Sequence, residues 1–201
     1  MVATLSSVSS SQNAGKYFYF TENDFECSKG WQDNRAKEEL NLKELGRKNF
    51  ENILNGKLSK DIALGRSTKE GLKHHPGQEL ILSPPKSVSI MALVAKDERV
   101  VEAHEKAVSS TIDYVTRHMI YTRIQDRGRQ FIEKTDNAPI AKFTHMTSRS
   151  AKSADEKEIN IPDPQLHTHN IIANATLCKD GKWRSVVFDS LYENQMNLGE
   201  I

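Results

Sequence analysis

Hydrophobic positions along this chain repeat with two different periods, near two in some stretches and between three and four in others. Val2 to Val8 reads as a short strand, and Ser9-Ser10-Ser11-Gln12-Asn13 supplies the N-cap residues of a helix that carries Tyr17, Phe18, Tyr19 and Phe20. Trp31 to Leu42 and Asn49 to Leu58 both space apolar residues helically, the second stopped by Gly56. Gln78 to Ser83 predicts a strand running into a proline-started helix at Pro84-Pro85-Lys86. From Asp97 onward Val100, His104, Val108, Ile112, Val115 and Met119 mark one buried face of a long helix. Tyr121 to Gln125 and Gly128 to Glu133 pair around Asp126-Arg127-Gly128. In Ile140 to Arg149, alternation places Ala141, Phe143 and His145 on one face. Proline at 162 and 164 marks a loop, and the run from Leu166 reads as a buried strand. Asn174 to Leu177 and Trp183 to Val187 flank the turn Lys179-Asp180-Gly181-Lys182, and Asp189 or Ser190 caps a last helix. Strands separated by helices, with antiparallel hairpin signals, predict an α+β domain.

Composition narrows the class. With 201 residues, 37% hydrophobic and 27% charged, the chain can fill one core, so one domain is expected. No apolar run approaches the roughly 18 residues of a membrane span, and Met1 to Ser7 lacks the blocks of a signal peptide. Cys27 and Cys178 have no metal-like spacing and fit a reducing cytosol with unpaired thiols. The net charge of +1 counts against a strongly basic nucleic-acid binder. Any DNA footprint must come from local clusters such as Lys57, Lys60, Arg66, Lys69, Lys73, His74 and His75, a stretch that also reads as a solvated loop.

The candidate chemistry lies in histidines. On a strand, His167 and His169 share a face at roughly 6 to 7 Å between Cα atoms, a spacing that lets two imidazoles hold one metal ion or serve as paired core histidines. His145, on the preceding strand, supplies a third. Three histidines that leave a coordination position open form a catalytic pattern, because a closed four-ligand set excludes substrate. His104 reads as a satisfied core histidine, and His118, His74 and His75 have no partner at useful spacing.

These residues resemble a known family. Phe143-Thr144-His145-Met146-Thr147-Ser148-Arg149, followed by Pro164-Gln165-Leu166-His167-Thr168-His169, is similar to the three-histidine motif of the MobF-type conjugative relaxases (TrwC/TraI-like) of the HUH endonuclease superfamily. The resemblance implies an HUH-type palm, a central antiparallel β-sheet flanked by α-helices, in a single relaxase domain over 1–201 that lacks the carboxy-terminal part of the family domain. It implies strand-specific nicking and rejoining of single-stranded DNA at a plasmid origin of transfer. His145, His167 and His169 would hold a divalent ion, Mn²⁺ or Mg²⁺ or another transition metal. Tyr17 matches the nucleophile, leaving a 5′-phosphotyrosine. On a helix Tyr17 and Tyr19 lie roughly 200° apart, so only one can face the metal, and Tyr19 is the lesser candidate.

Glu79 falls where relaxases carry an Asp that orients a metal-binding histidine. Lys86, in Ser-Pro-Pro-Lys-Ser, matches a segment that contacts phosphate or merely faces solvent. The chain departs from the family in having Phe18 beside Tyr17 and Asn23-Asp24-Phe25-Glu26 where a second tyrosine pair is common, and in a longer loop from Ser150 to Asn160. Relaxosome accessory proteins, a coupling protein, a bacterial cytoplasmic location and carriage with DNA into a recipient cell are also implied. Two other functions use the same residues: a DNA-binding relaxosome component without chemistry, and a His-x-His metallohydrolase that activates water.

Overall fold

A computed structural model describes residues 1–20, 29–32, 34–69, 71–148 and 163–200. The segment Asn23 to Glu26, Cys27, Arg149, the loop from Ser150 to Asn160 and Pro162 lie outside the described residues.

The chain opens with β1 (Val2–Ser7) and α1 (Ser11–Phe20), with the Ser10 hydroxyl accepting from Asn13 N at 3.0 Å at the helix start. β2 (Lys29–Trp31) and α2 (Arg35–Glu39) follow, then α3 (Arg47–Leu54). The helix expected over Trp31 to Leu42 is therefore only α2. Trp31 pairs with Ala141 in the sheet instead, and Asn34 starts the helix late by accepting from Lys37 N. At the end of α3, Gly56 adopts φ 77° and its N–H bonds Ile53 O, closing the helix where the glycine was expected to.

The basic stretch expected to be a loop contains a small exposed hairpin, β3 (Arg66–Thr68) with β4 (Gly71–Lys73). β5 (Gly77–Ser83) leads to α4 (Lys86–Leu93), whose N-cap is Pro85. The long α5 (Glu98–Met119) is capped by Asp97, whose side chain accepts from Arg99 N. β6 (Tyr121–Asp126) and β7 (Arg129–Lys134) turn through Arg127 and Gly128, both at positive φ.

β8 (Ile140–Thr147) and β9 (Pro164–Ala173) carry the histidines, with Pro164 already the first strand residue. The hairpin β10 (Thr176–Leu177) and β11 (Trp183–Arg184) is followed by β12 (Val186–Val187), which leaves β11 to pair with β6. The expected single strand over Trp183 to Val187 is thus split between two sheets. The last helix is also split, into α6 (Asp189–Glu193) and α7 (Gln195–Leu198) about Asn194, and its N-cap is Phe188 rather than Asp189 or Ser190.

The central sheet has five strands in the order β1-β5-β9-β8-β2, with every pair antiparallel. This is the expected α+β architecture of an antiparallel sheet flanked by helices. Strand parity sends alternate residues to two cores. On one face Ala141, Phe143, Ile171 and Ala173 meet Ala14, Phe50, Ile53 and Leu54 of α1 and α3. On the other, Leu80, Leu82, Ile140 and Ile172 meet Val108, Ile112 and Val115 of α5 and Leu191 and Leu198 of α6 and α7. No described helix is long and apolar enough to cross a membrane.

Candidate metal and tyrosine site

The histidines occupy the first of these faces, at the end of the sheet where apolar pairing gives way to polar side chains. His145 pairs across the strands with His167, and Phe143 pairs with His169. One nitrogen from each of His145, His167 and His169 lies within 4.8 Å of the others. The ring centroids stand 5.3, 4.8 and 4.9 Å apart for 145–167, 145–169 and 167–169. A β-bulge between His145 and Thr147 ends the regular register just beyond the cluster.

The outer nitrogens of two rings are committed. His167 Nδ1 lies 3.0 Å from Gln165 O, and His169 Nδ1 lies 2.7 Å from Glu79 Oε1. A carbonyl and a carboxylate can only accept, so both Nδ1 atoms carry the proton and both Nε2 atoms present a lone pair. His169 Nε2 is buried with no hydrogen-bond partner. A buried acceptor without a partner is costly in a protein interior. Beside two further imidazoles, it fits a divalent cation, and the all-nitrogen donor set suits Mn, Zn, Ni or Cu better than Mg.

Glu79 reaches His169 from β5, although its own cross-strand partner is Ile171 and His169 pairs with Ile81. The carboxylate therefore works along the diagonal of the pair, a distance that the extra methylene of Glu spans.

α1 crosses the same face and brings two rings to the cluster. Tyr17 lies with its ring centroid 6.2 Å from His145 and 5.8 Å from His169. Phe18 stacks on Phe143 at 4.3 Å and 14° and stands 5.3 Å from His169, so its phenyl forms a wall of the site. Ser7, Ser10, Asn13, Tyr17, Phe18 and Glu79 line a crevice of about 180 Å³ alongside.

Tyr19 turns the other way. Its hydroxyl donates to Leu45 O at 2.8 Å, and its ring packs on Phe50 and Phe143 beneath Lys29 Nζ. Burial, with the Glu51 charge second, raises its pKa well above the ordinary phenol value. Lys86 Nζ contacts Pro164 O at 2.8 Å and Asp163 Oδ2 at 3.3 Å, pinning the start of β9 to α4. His104 lies on the opposite face of the sheet, where its Nε2 meets Thr168 Oγ1 at 2.9 Å. The sequence did not single out Phe18 as a wall or Ser6, whose Oγ donates to Glu79 Oε2 at 3.0 Å. Both depend on strand register and helix rotation, which local periodicity does not reveal.

An antiparallel palm with three imidazoles on one face and a tyrosine-bearing helix laid across it defines an α+β domain that gathers three histidines beside a phenol. The TrwC relaxase family model matches residues 5–201, and the chain belongs to that family. It is similar to the multifunctional conjugation protein TraI of Escherichia coli strain K12, 30% identical over 211 residues that cover 98% of this chain and 11% of TraI. Among solved structures it is similar to the conjugative relaxase TrwC in complex with oriT DNA in a metal-bound form, with TM-score 0.81, 30% identity, and coverage of 99% of this chain and 66% of that one. A copper-bound structure of TrwC with oriT DNA gives TM-score 0.77 at 30% identity, covering 98% of this chain and 65% of that one. The chain thus spans about a tenth of TraI and slightly less than two thirds of the TrwC chains.

Proposed function

We propose that residues 1–201 form a transesterase domain that nicks and rejoins one DNA strand at a plasmid origin of transfer, with Tyr17 as nucleophile and His145, His167 and His169 as ligands of a divalent ion. The observation that carries this reading is the tyrosine ring 6.2 Å and 5.8 Å from two of three histidines whose ligating atoms lie within 4.8 Å of one another. When bound, the ion supplies positive charge to the non-bridging oxygens of the scissile phosphate and offsets charge developing there.

The chain's own groups do the rest. Tyr17 Oη attacks phosphorus as its proton passes to solvent or a base. The bond from phosphorus to the O3′ of the preceding nucleotide breaks, and that oxygen takes up a proton to leave as a 3′-OH. The product is a 5′-phosphotyrosine, and its ester bond conserves the energy needed for rejoining. Glu79 holds His169 in its ligating tautomer. Phe18 screens one side of the centre from water, and the positively charged β3–β4 hairpin is available to backbone phosphates. The DNA must be locally single-stranded for the phenol to reach an extended backbone. Such a domain would act in a bacterial cytoplasm with relaxosome accessory proteins and a coupling protein, and travel with the DNA to the recipient.

The test is nicking of an origin oligonucleotide with Mn²⁺ by the parent and by Tyr17→Phe. The parent should yield a protein–DNA adduct that survives SDS, and Tyr17→Phe should yield neither adduct nor nick. Unchanged nicking by Tyr17→Phe would remove the nucleophile. Cleavage without an adduct would instead identify a hydrolase that activates water, and binding without cleavage a relaxosome component without chemistry.

A further inference from the structure

Ser6 on β1 is the cross-strand partner of Glu79 on β5. Its hydroxyl donates to Glu79 Oε2 at 3.0 Å, while Oε1 of the same carboxylate meets His169 Nδ1 at 2.7 Å. Three neighbouring strands, β1, β5 and β9, thus feed one chain of contacts that ends at the buried, partnerless Nε2 of His169. A glutamate side chain has three torsions, and this one is 21% exposed, so water competes for its carboxylate. The imidazole holds one carboxylate oxygen, and a hydroxyl fixed on a paired strand holds the other, which restrains those torsions further.

We propose that Ser6 is a positioning residue of the metal centre: its hydroxyl clamps Glu79 so that the carboxylate holds His169 in the tautomer and orientation that ligate the ion. This rests on the reading of the three histidines as a ligand set. Ser6 touches neither substrate nor ion and acts only through Glu79. The serine is half-buried on the edge strand β1, so its replacement by alanine leaves the core intact.

The experiment titrates Co²⁺ alone into metal-free protein and follows its visible d–d absorption for the parent, Ser6→Ala, Ser6→Thr, Glu79→Ala and the Ser6→Ala/Glu79→Ala double variant. Deleting the direct partner of a ligating histidine weakens metal binding roughly ten- to hundredfold, so Glu79→Ala should fall in that range and Ser6→Ala should lose about three- to tenfold. Ser6→Thr, which keeps the hydroxyl, should bind like the parent. The double variant should be no weaker than Glu79→Ala, because the serine has nothing left to position. Parent-like Co²⁺ affinity in Ser6→Ala, a loss that threonine does not restore, or losses that multiply in the double variant would each overturn the proposal while leaving the metal centre standing. Absence of Co²⁺ absorption in the parent would overturn the metal reading itself, and this inference with it.

Discussion

Acid should weaken this fold through one buried side chain, His104. The ring sits on the inner face of α5 with 4% of its surface exposed, bonded through Nε2 to Thr168 Oγ1, and its Nδ1 has no partner. Burial, and second the His167 ring, pushes its pKa from 6.5 down to about 4. Between those values the unfolded chain takes up a proton that the folded chain refuses. Stability from this group is therefore complete above the unfolded value and is lost as the pH falls toward the folded one. Integrated to about pH 4.5, the difference comes to about 2 to 3 kcal/mol, a substantial share of the stability of an ordinary domain.

Urea unfolding at about pH 7 and about pH 4.5, in EDTA so that no cation contributes, measures the loss. His104→Leu keeps apolar volume and gives up one hydrogen bond, at about 1 kcal/mol. Thr168 Oγ1 retains its contact with Thr144 Oγ1 at 3.0 Å in that variant. On acidification the parent should lose about 2 to 3 kcal/mol more than the variant, whose remaining carboxylates and histidines are unchanged. Parallel losses in the two proteins would refute the assignment of the acid sensitivity to His104.

Two further substitutions test the packing that aims α1 and α3. Tyr19→Phe removes a hydroxyl that donates to Leu45 O at 2.8 Å; it should cost about 1 kcal/mol, lower the melting temperature by a few degrees in a thermal scan, and leave nicking at the parent rate. Gly56→Ala forces a Cβ into a residue at φ 77° and within 2.2 Å of Leu64 O; the urea midpoint should fall by the equivalent of at least about 2 kcal/mol, and a parent-like midpoint would show that the turn relaxes.

The site was readable in the sequence where one strand carries it, and unreadable where register does. Period-two alternation alone put His167 with His169 and put Ala141, Phe143 and His145 together, because a strand's faces follow from counting. The cap at Ser10 and the Arg127–Gly128 turn were legible because each is a local feature of side chain and backbone, whereas the cap at Asp97 was not singled out. Trp31 was misread as helical because its apolar spacing fits a helix, whereas its backbone is claimed by Ala141, 110 residues away in the chain. Ser6 is the same lesson inside the site, since nothing near residue 6 reveals that Glu79 lies across from it. The split at Asn194 and the exposed β3–β4 hairpin escaped for the opposite reason: short elements carry too few residues to establish a period.

The direction in which residue 17 leaves its helix follows from the residue beside it. Consecutive helical side chains diverge by about 100°, so Tyr17 and Phe18 approach the His169 ring from different sides, at 5.8 and 5.3 Å between centroids. Phe18 is fixed by a parallel stack on Phe143, whose neighbours Phe50 and Tyr19 complete an aromatic cluster on the α3 side. That stack sets the rotation of α1 about its own axis. With the helix so turned, residue 19 is carried to Leu45 and residue 17 to the His145 and His169 rings. A phenylalanine at 18 adds no hydroxyl to the centre, but it grips a core that Phe143 and Ile171 extend along the same strands as the histidines. The strands that present the imidazoles thereby also determine, through packing, where the phenol of residue 17 is aimed.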